Sequence, residues 1–590
     1  MSRRILISRS LSVAEEEEVR LLQHQGWQVH NRAGEGPDPD VKRRINYAVM
    51  DELLALGDLP VNDQVFSDLF RVGHASLWHY HKFRIYFTVR NLCYELEQSG
   101  LTGEPDRDVI WYAGRDWAPL GRLFPRVEFR LEKKEKEKLN ALTLAGYLLT
   151  FCVRLIVSLF ASRSRPEYLI YFAEKYSTLL DRETLRPVKG HHILEYLLDR
   201  LDHRFGLLTE VIVPKLKGRS DYLFDINYLK TRWAGCRKQM IEPFIVKAWL
   251  NRKLRKELSV SSGRLEAAYD LARQGRMSLH QQMALEIMRS LHGSSCFYLF
   301  RYYAAQRFFR QARPRAVAAS DENSPMSRTI LDAARSCGIA IAGIQHGSIH
   351  DLHPAYRYTA GDREKGVMPD LTLVWGKSGK QFLLDKGNYP NGSVMEAGQI
   401  RTDVIPDLLK REQKSKGKAP LVVFASQPQR DPGLRWQAAY DVFSAVSRME
   451  GCRLILRLHP REFNDESYYR SIAEKAGCSG YITDIRSDLY ELIASCDLLI
   501  TCFSTVGTET IYFNKPLIVL DHLKQDIQGY VREGVAFRAT GADELHGLIR
   551  DILNGTRTID PEKYRMFIEN YAYRIDGKVA ERVIGAITSM

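Results

Sequence analysis

Four short polar clusters carry the carboxylate, imidazole, guanidinium and hydroxyl groups needed to bind an activated phosphate and deprotonate a hydroxyl. Each follows an apolar run. Asp321 and Glu322 close PRAVAAS, and two adjacent carboxylates there make a candidate general base. Gln345, His346 and Gly347 close IAIAGI, offering hydrogen-bond donors beside a glycine that permits a tight turn or the close approach of a ligand. His459 closes RLILRL ahead of Pro460, which halts a strand, and Arg461; an imidazole so placed holds a phosphate and eases its departure as a leaving group. Ser504, Thr505, Thr508 and Glu509 follow DLLIT, where hydroxyls at a helix start suit a phosphate and a carboxylate one turn later suits ribose hydroxyls. Each cluster also has a plainer reading. Asp321 or Asn323 caps a helix starting near Ser327, Gln345–Gly347 is a loop with a satisfied core histidine, and His459 caps a loop. Ser504 is an empty N-cap and Glu509 a capping-box residue.

The elements that carry these clusters alternate. LVVFASQ, RLILRLHPRE, GYITD, DLLIT and PLIVL are short apolar strands separated by helical stretches, the pattern of a doubly wound parallel sheet over 421–555. Upstream, PRAVAAS, a helix ending at Gly338, IAIAGI, PDLTLVWG and SVMEAGQIRTD repeat the pattern. In such sheets ligands bind outside the carboxyl ends of the strands, where all four clusters fall. RRILIS, DVIWYAG and EYLIYFA read as further strands, SVAEEEEVRLL as a helix capped by Ser12, and 181–315 as mostly helical. The expected organisation is an acceptor-side domain over 1–409 with a helical insertion at about 120–310. A Lys-rich linker at 410–420, a nucleotide-binding domain over 421–560 and helices over 561–590 that pack back on the first domain complete it.

The chain has 590 residues, too many for one core, with 45% hydrophobic and 27% charged residues, a globular balance. A net charge of +13 suits anionic partners: phosphorylated substrates, a phospholipid surface or nucleic acid, the last disfavoured because the basic residues are dispersed. Nine cysteines without a CxxC pair argue against a disulfide framework or a zinc site and for a reducing compartment. The opening MSRRILISRS lacks the apolar core of a signal peptide. Residues 139–161 are apolar for the length of a membrane span but contain Arg154, leaving three readings: a helix on the membrane interface, a buried helix, or a true span. KAWLNRKLRKEL and FYLFRYYAAQRFFRQARPR would extend a cationic face toward anionic lipid, or are ordinary amphipathic helices.

The ordered set (paired carboxylates, QHG, linker, HPRE, FSTxxxE, KPLIVLD) resembles the GT-B glycosyltransferases of bacterial surface polysaccharide synthesis. That group holds sialyltransferases, polysialyltransferases, capsule Kdo transferases and the related CDP-glycerol glycerophosphotransferases. The likeness is best over 314–588. It implies an α/β fold of two Rossmann-like domains facing a cleft, with a nucleotide-sugar as co-substrate and neither metal nor other cofactor. By it, His459-Pro460 contacts the donor phosphate beside Ser504-Thr505, Asp321-Glu322 is similar to a D/E-D/E-G motif that supplies the base, and YRIDGKVAERV (573–583) resembles a terminal D-G-K-A-x-R stretch. Asn323 stands where that motif has glycine. The implied activity is transfer of a sugar, from a CMP-sugar as HPRE favours or from a UDP-sugar, to a glycan or lipid-linked acceptor on the cytoplasmic leaflet. A CDP-polyol phosphotransferase, a non-hydrolysing nucleotide-sugar epimerase and an inactive membrane-associated scaffold are the alternatives.

Overall fold

The structure is a computed structural model that describes residues 3–34, 36–101, 108–132, 145, 148–149, 151–156, 165–174, 176–211, 237–413, 419–429, 431–485 and 487–590. Among these residues the chain forms three parallel sheets. The first holds β1 (Arg4–Ile7), β2 (Gln28–Asn31), β3 (Val109–Ala113) and β4 (Val127–Leu131) in the order β2-β1-β3-β4. A long helix, α1 (Leu77–Ser99), lies between β2 and β3 in the chain and buries Trp78, Tyr80, Ile85, Tyr86 and Val89.

The second sheet has seven strands: β5 (Tyr168–Glu174), β6 (Phe205–Val211), β7 (Arg237–Met240), β8 (Ala316–Ser320), β9 (Ala340–Ile344), β10 (Leu371–Val374) and β11 (Val394–Glu396). Their order is β7-β6-β5-β8-β9-β10-β11, so the winding reverses between β5 and β8. Helices α2 (His292–Ala312) and α3 (Pro325–Arg335) flank β8 in the chain. EYLIYFA is β5, as its apolar run predicts, while the mostly helical reading of 181–315 and the helical insertion at about 120–310 are corrected at Phe205–Val211 and Arg237–Met240, where β6 and β7 are strands of this sheet. β6 pairs with β5 and β7 with β6, so partners in space set their place and no local period marks them.

After β11 the helix α4 (Ile405–Gln413) leads to the third sheet. That sheet comprises β12 (Leu421–Ala425), β13 (Arg453–Arg457), β14 (Tyr481–Asp484), β15 (Leu498–Thr501), β16 (Leu517–Leu520) and β17 (Phe537–Ala539), in the order β14-β13-β12-β15-β16-β17. Lys410 to Gln413, expected within the linker at 410–420, are instead good helix formers that continue α4, and Arg411 is anchored to Glu491 at 2.9 Å. Residues 414–418 lie outside the described residues. The helix α5 (Pro432–Ser447) covers one face of the sheet, and α6 (Val506–Tyr512) joins β15 to β16. The chain ends in α7 (Pro561–Tyr571) and α8 (Val579–Thr588).

Strand alternation sorts the core. In β5 and β8, Leu169, Tyr171, Val317 and Ala319 face a cluster shared with α1 and the first sheet, while Tyr168, Ile170, Ala316 and Ala318 face the opposite way. That opposite cluster also takes Leu421, Val423 and Leu499 from the third sheet and Val579 and Val583 from α8. One apolar core thus runs through both Rossmann-like domains. α8 is held on the second sheet's side by Asp403, whose carboxylate oxygens accept from the backbone N–H of Val579 at 2.8 Å and Ala580 at 3.0 Å. In YRIDGKVAERV, Arg582 donates to Ala397 O at 2.8 Å and pairs with Asp576 at 2.7 Å, so this stretch is fastened to the second sheet's domain.

No helix among the described residues is long and apolar enough to cross a membrane. Most of 139–161 lies outside the described residues. Arg154 is described: it is buried, its Nε bonds Glu242 Oε1 at 2.7 Å and its guanidinium also donates to Thr209 O at 3.0 Å. Leu148, Leu149 and Ile156, also described, are exposed.

Candidate active site

At the carboxyl edge of the second sheet, β8 delivers Asp321 and Glu322 into different surroundings. Neither they nor Asn323 cap α3; Ser324 does, accepting from Ser327 N. Asp321 adopts φ +56°, a left-handed conformation that is costly for a residue with a Cβ, and keeps 47% of its side chain exposed. Its carboxylate Oδ1 lies 3.4 Å from His346 Nε2, which β9 brings from the QHG cluster, so two sequence clusters meet as one. Burial raises the Asp321 pKa, with His346 pulling the other way.

Glu322 points inward and is buried. Its side chain lies over Gly343 of β9, where a Cβ would come within 2.7 Å of Glu322 Cγ. One oxygen accepts from Asn323 Nδ2 at 3.3 Å and the other, Oε2, has no partner. Burial pushes its pKa up to about 8, so it holds a proton at neutral pH. Asn323, in place of the glycine of the resembled motif, accepts from Tyr358 OH at 2.7 Å. Arg328 donates to Tyr358 OH and to Val367 O, forming a packed support behind the carboxylates.

Gln345 is engaged within the loop. Its Oε1 accepts from Trp375 N at 2.7 Å and its Nε2 donates to Gly347 O at 2.8 Å, which spends the amide on holding the loop. Gly347 has no positive φ and a Cβ there would meet open space, so neither a tight turn nor a close contact within the chain requires it.

At the edge of the third sheet His459 caps a short turn, Pro460–Glu462, and its Nδ1 accepts from Arg461 N at 3.1 Å. That bond places the ring proton on Nε2, which leaves a donor for a ligand. The turn is built on Ser426, to which the motif reading gave no role, and on Glu462 of HPRE. Ser426, just after β12, accepts from His459 N at 3.1 Å and donates to Glu462 Oε2 at 2.6 Å. Glu462 is buried, takes a further bond from Tyr469 OH at 2.9 Å and pairs with Arg435 at 2.7 Å. Arg461 projects from the surface of the turn.

Beyond β15, Gln427 Oε1 accepts from Phe503 N at 2.6 Å and so fixes the start of the Ser504-Thr505 stretch. Ser504 Oγ accepts from Val506 N at 3.2 Å, and Thr505 is exposed. Thr508 is engaged by Tyr530 OH at 2.8 Å, which also donates to Ser504 O, and Gly507 leaves room for that ring, since a Cβ would sit 2.5 Å from it. Glu509 is not a capping-box residue: it lies beyond the third position of α6, its Oε2 is buried without a partner, and burial raises its pKa to about 7 against the pull of Arg401. Beside Cys502 and Phe503 a cavity of about 110 Å³ opens, lined also by Gln429, Asp521, His522 and Ile527. Among the described residues no group of three or more His, Cys, Asp or Glu is placed to hold a metal ion.

Residues 430–589 match the family described as CDP-Glycerol:Poly(glycerophosphate) glycerophosphotransferase. No curated protein matches the chain. Among solved structures, it is similar to a putative UDP-N-acetylglucosamine 2-epimerase from Listeria monocytogenes at 13% identity and TM-score 0.39, covering 72% of this chain and 96% of that one. It is similar to a UDP-GlcNAc 2-epimerase from Neisseria meningitidis bound to UDP-GlcNAc at 10% identity and TM-score 0.44, covering 72% and 100%. A third similar structure is the wall teichoic acid polymerase TagF in a form soaked with CDPG, at 10% identity and TM-score 0.38, covering 78% and 98%. Through residues 430–589 the chain is similar to the glycerophosphotransferases of the group its motifs resemble, and it is an enzyme of the glycosyl- or glycerophosphate-transferring kind.

Proposed function

We propose that this enzyme moves a phosphopolyol from a cytidine-nucleotide-activated donor to a hydroxyl of a growing surface polymer. The match of residues 430–589 to the glycerophosphotransferase family carries this reading over transfer of a sugar. The donor's phosphates lie against His459 Nε2–H and the hydroxyls of Ser504 and Thr505, at the edge where the third sheet's winding reverses between β12 and β15. The acceptor oxygen attacks the donor's distal phosphorus while the bond to the oxygen of CMP breaks. The acceptor's proton passes to the half-exposed Asp321 carboxylate, held by His346, and the charge growing on CMP is met by the His459 donor. Glu322, protonated and buried behind Asp321, serves the loop as a support.

Transfer of a sugar from a CMP-sugar is the second reading, favoured by the paired carboxylates at the end of β8 that resemble a glycosyltransferase base motif. Incubation with CDP-glycerol and a glycerophosphate primer, followed by 31P NMR, decides between them. Release of CMP with a new phosphodiester signal is the expected result. Turnover only of a CMP-sugar, with no new phosphodiester, moves the assignment to the second reading.

Attachment to an anionic leaflet belongs to the same proposal. The helix Glu242–Leu250 ends with Trp249 and Leu250 each 62% exposed, and the next helix opens with Arg252, Lys253, Arg255 and Lys256, an apolar tip ringed by cations.

A further inference from the structure

Arg401 lies outside all four clusters. It sits in a short 3-10 turn, Ile400–Val404, just past the carboxyl end of β11, and the turn itself is pinned. Thr402 Oγ1 donates to Gln399 O at 2.7 Å, and Asp403 is fully buried on the amides that open α8. The Arg401 side chain, by contrast, leaves its own domain. Its guanidinium lies over the ring of Tyr490, 4.5 Å from the centroid, on the helix Leu489–Ser495 of the third-sheet domain.

Among the described residues Arg401 makes no hydrogen bond and no ion pair within 4.0 Å, although the Glu509 carboxylate is close enough to act on its charge. Glu509 Oε2 is itself buried and unpartnered. An acid and a base thus stand near each other with hydrogen-bonding capacity unspent, Arg401 in the turn after β11 and Glu509 on α6, the helix that follows Ser504 and Thr505. Arg401 is only partly buried, so its N–H edge is open to a ligand, and the planar fork of arginine matches a phosphate with two parallel bonds.

We propose that Arg401 is a donor-binding residue supplied by the second-sheet domain, whose guanidinium binds the phosphate of the nucleotide held on the third-sheet domain. This inference rests on the nucleotide-dependent reading above. Tyr490 holds the flat face of the guanidinium by cation–π contact and leaves its N–H edge free, and Glu509 keeps it at the boundary until a phosphate takes it. The cation complements His459 from the opposite domain, so a bound phosphate ties the two domains together.

The test is equilibrium binding of CMP, CDP and UDP, with cytidine and uridine as phosphate-free controls, to the unaltered chain, Arg401→Gln and Arg401→Lys. For the nucleotide that binds the unaltered chain most tightly, Arg401→Gln is expected to raise Kd by about 10- to 100-fold, the scale of hydrogen bonds to a charged group. Arg401→Lys, which keeps the charge and loses the fork, is expected to recover part of the loss, and nucleoside binding is expected to stay unchanged. Unaltered nucleotide affinity in Arg401→Gln overturns the inference alone. Equal loss for nucleoside and nucleotide also overturns it, by marking Arg401 as a packing residue. If Arg401→Gln does not fold, Arg401→Lys with unaltered nucleotide affinity overturns it as well. Failure of the unaltered chain to bind any of the three nucleotides overturns the nucleotide-dependent reading and this inference with it.

Discussion

Asp321 and Glu322 are neighbours in sequence with opposite surroundings, and their contrast is measurable by pH. The unfolded Glu322 carboxyl gives up its proton near the ordinary value of 4.5, the folded one near 8. Between those values the unfolded chain binds fewer protons, so this group lowers stability as pH rises through the window and contributes nothing below it. Glu322→Gln keeps the shape and cannot ionise. The Tm of Glu322→Gln relative to the unaltered chain is expected to climb between pH 5 and pH 8, and parallel Tm profiles would show that the folded carboxyl titrates normally. His459→Ala and Asp321→Asn are each expected to cut kcat by about 100-fold or more with Tm nearly unchanged, since both groups stand at a sheet edge and not in the core. Transfer assays at saturating donor, read beside melting curves, check this. The strand-end position made these residues legible, because apolar runs ending in charged groups are plain in a single sequence. Ser426 and Gln427 were not legible: SQPQR looks like an ordinary loop, and only the structure reveals that its hydroxyl and amide build the His459 turn and the Ser504 stretch.

Among the elements, β8 and β9 fit each other through one missing side chain. Gly343 gives Glu322 its space, and Gly343→Ala would push a methyl group against Glu322 Cγ in a fully buried strand. We expect a loss of about 1–3 kcal/mol, seen as a lower Tm, together with loss of transfer as the carboxylate loop shifts. Unchanged Tm would mean that Glu322 has another rotamer available. In the third sheet β12, β15 and β16 were readable because both of their faces are buried, giving unbroken apolar runs such as LVVFA and LIVL. β6 and β7 were not, since FGLLTEV and RKQM carry charge, β6 taking its place from pairing with β5 and β7 from pairing with β6. The Lys-rich stretch after Ile405 misled in the other direction: its residues favour a helix as much as a linker.

At the scale of the molecule, the two Rossmann-like domains share a core, and α8 belongs to it from the far end of the chain. Asp403→Ala removes the cap that receives α8 and is expected to cost about 1–2 kcal/mol and to broaden or split the calorimetric transition as the domains lose their coupling. A single sharp transition at lower Tm would mean that the apolar contacts alone keep the domains cooperative. For the membrane face, the charge reversals Lys253→Glu and Lys256→Glu together with Trp249→Ser are expected to abolish co-sedimentation with phosphatidylglycerol vesicles while leaving phosphatidylcholine unaffected, and equal sedimentation of both proteins would remove the leaflet from the proposal. α7 packs against the helix Lys377–Asp385 of the second-sheet domain and against α6 of the third, and α8 then returns to the second-sheet domain at Asp403. One helix near the end of the chain thus works as a strut between the domains, and Arg401, two residues from Asp403, reaches across from the side where that strut is tied down.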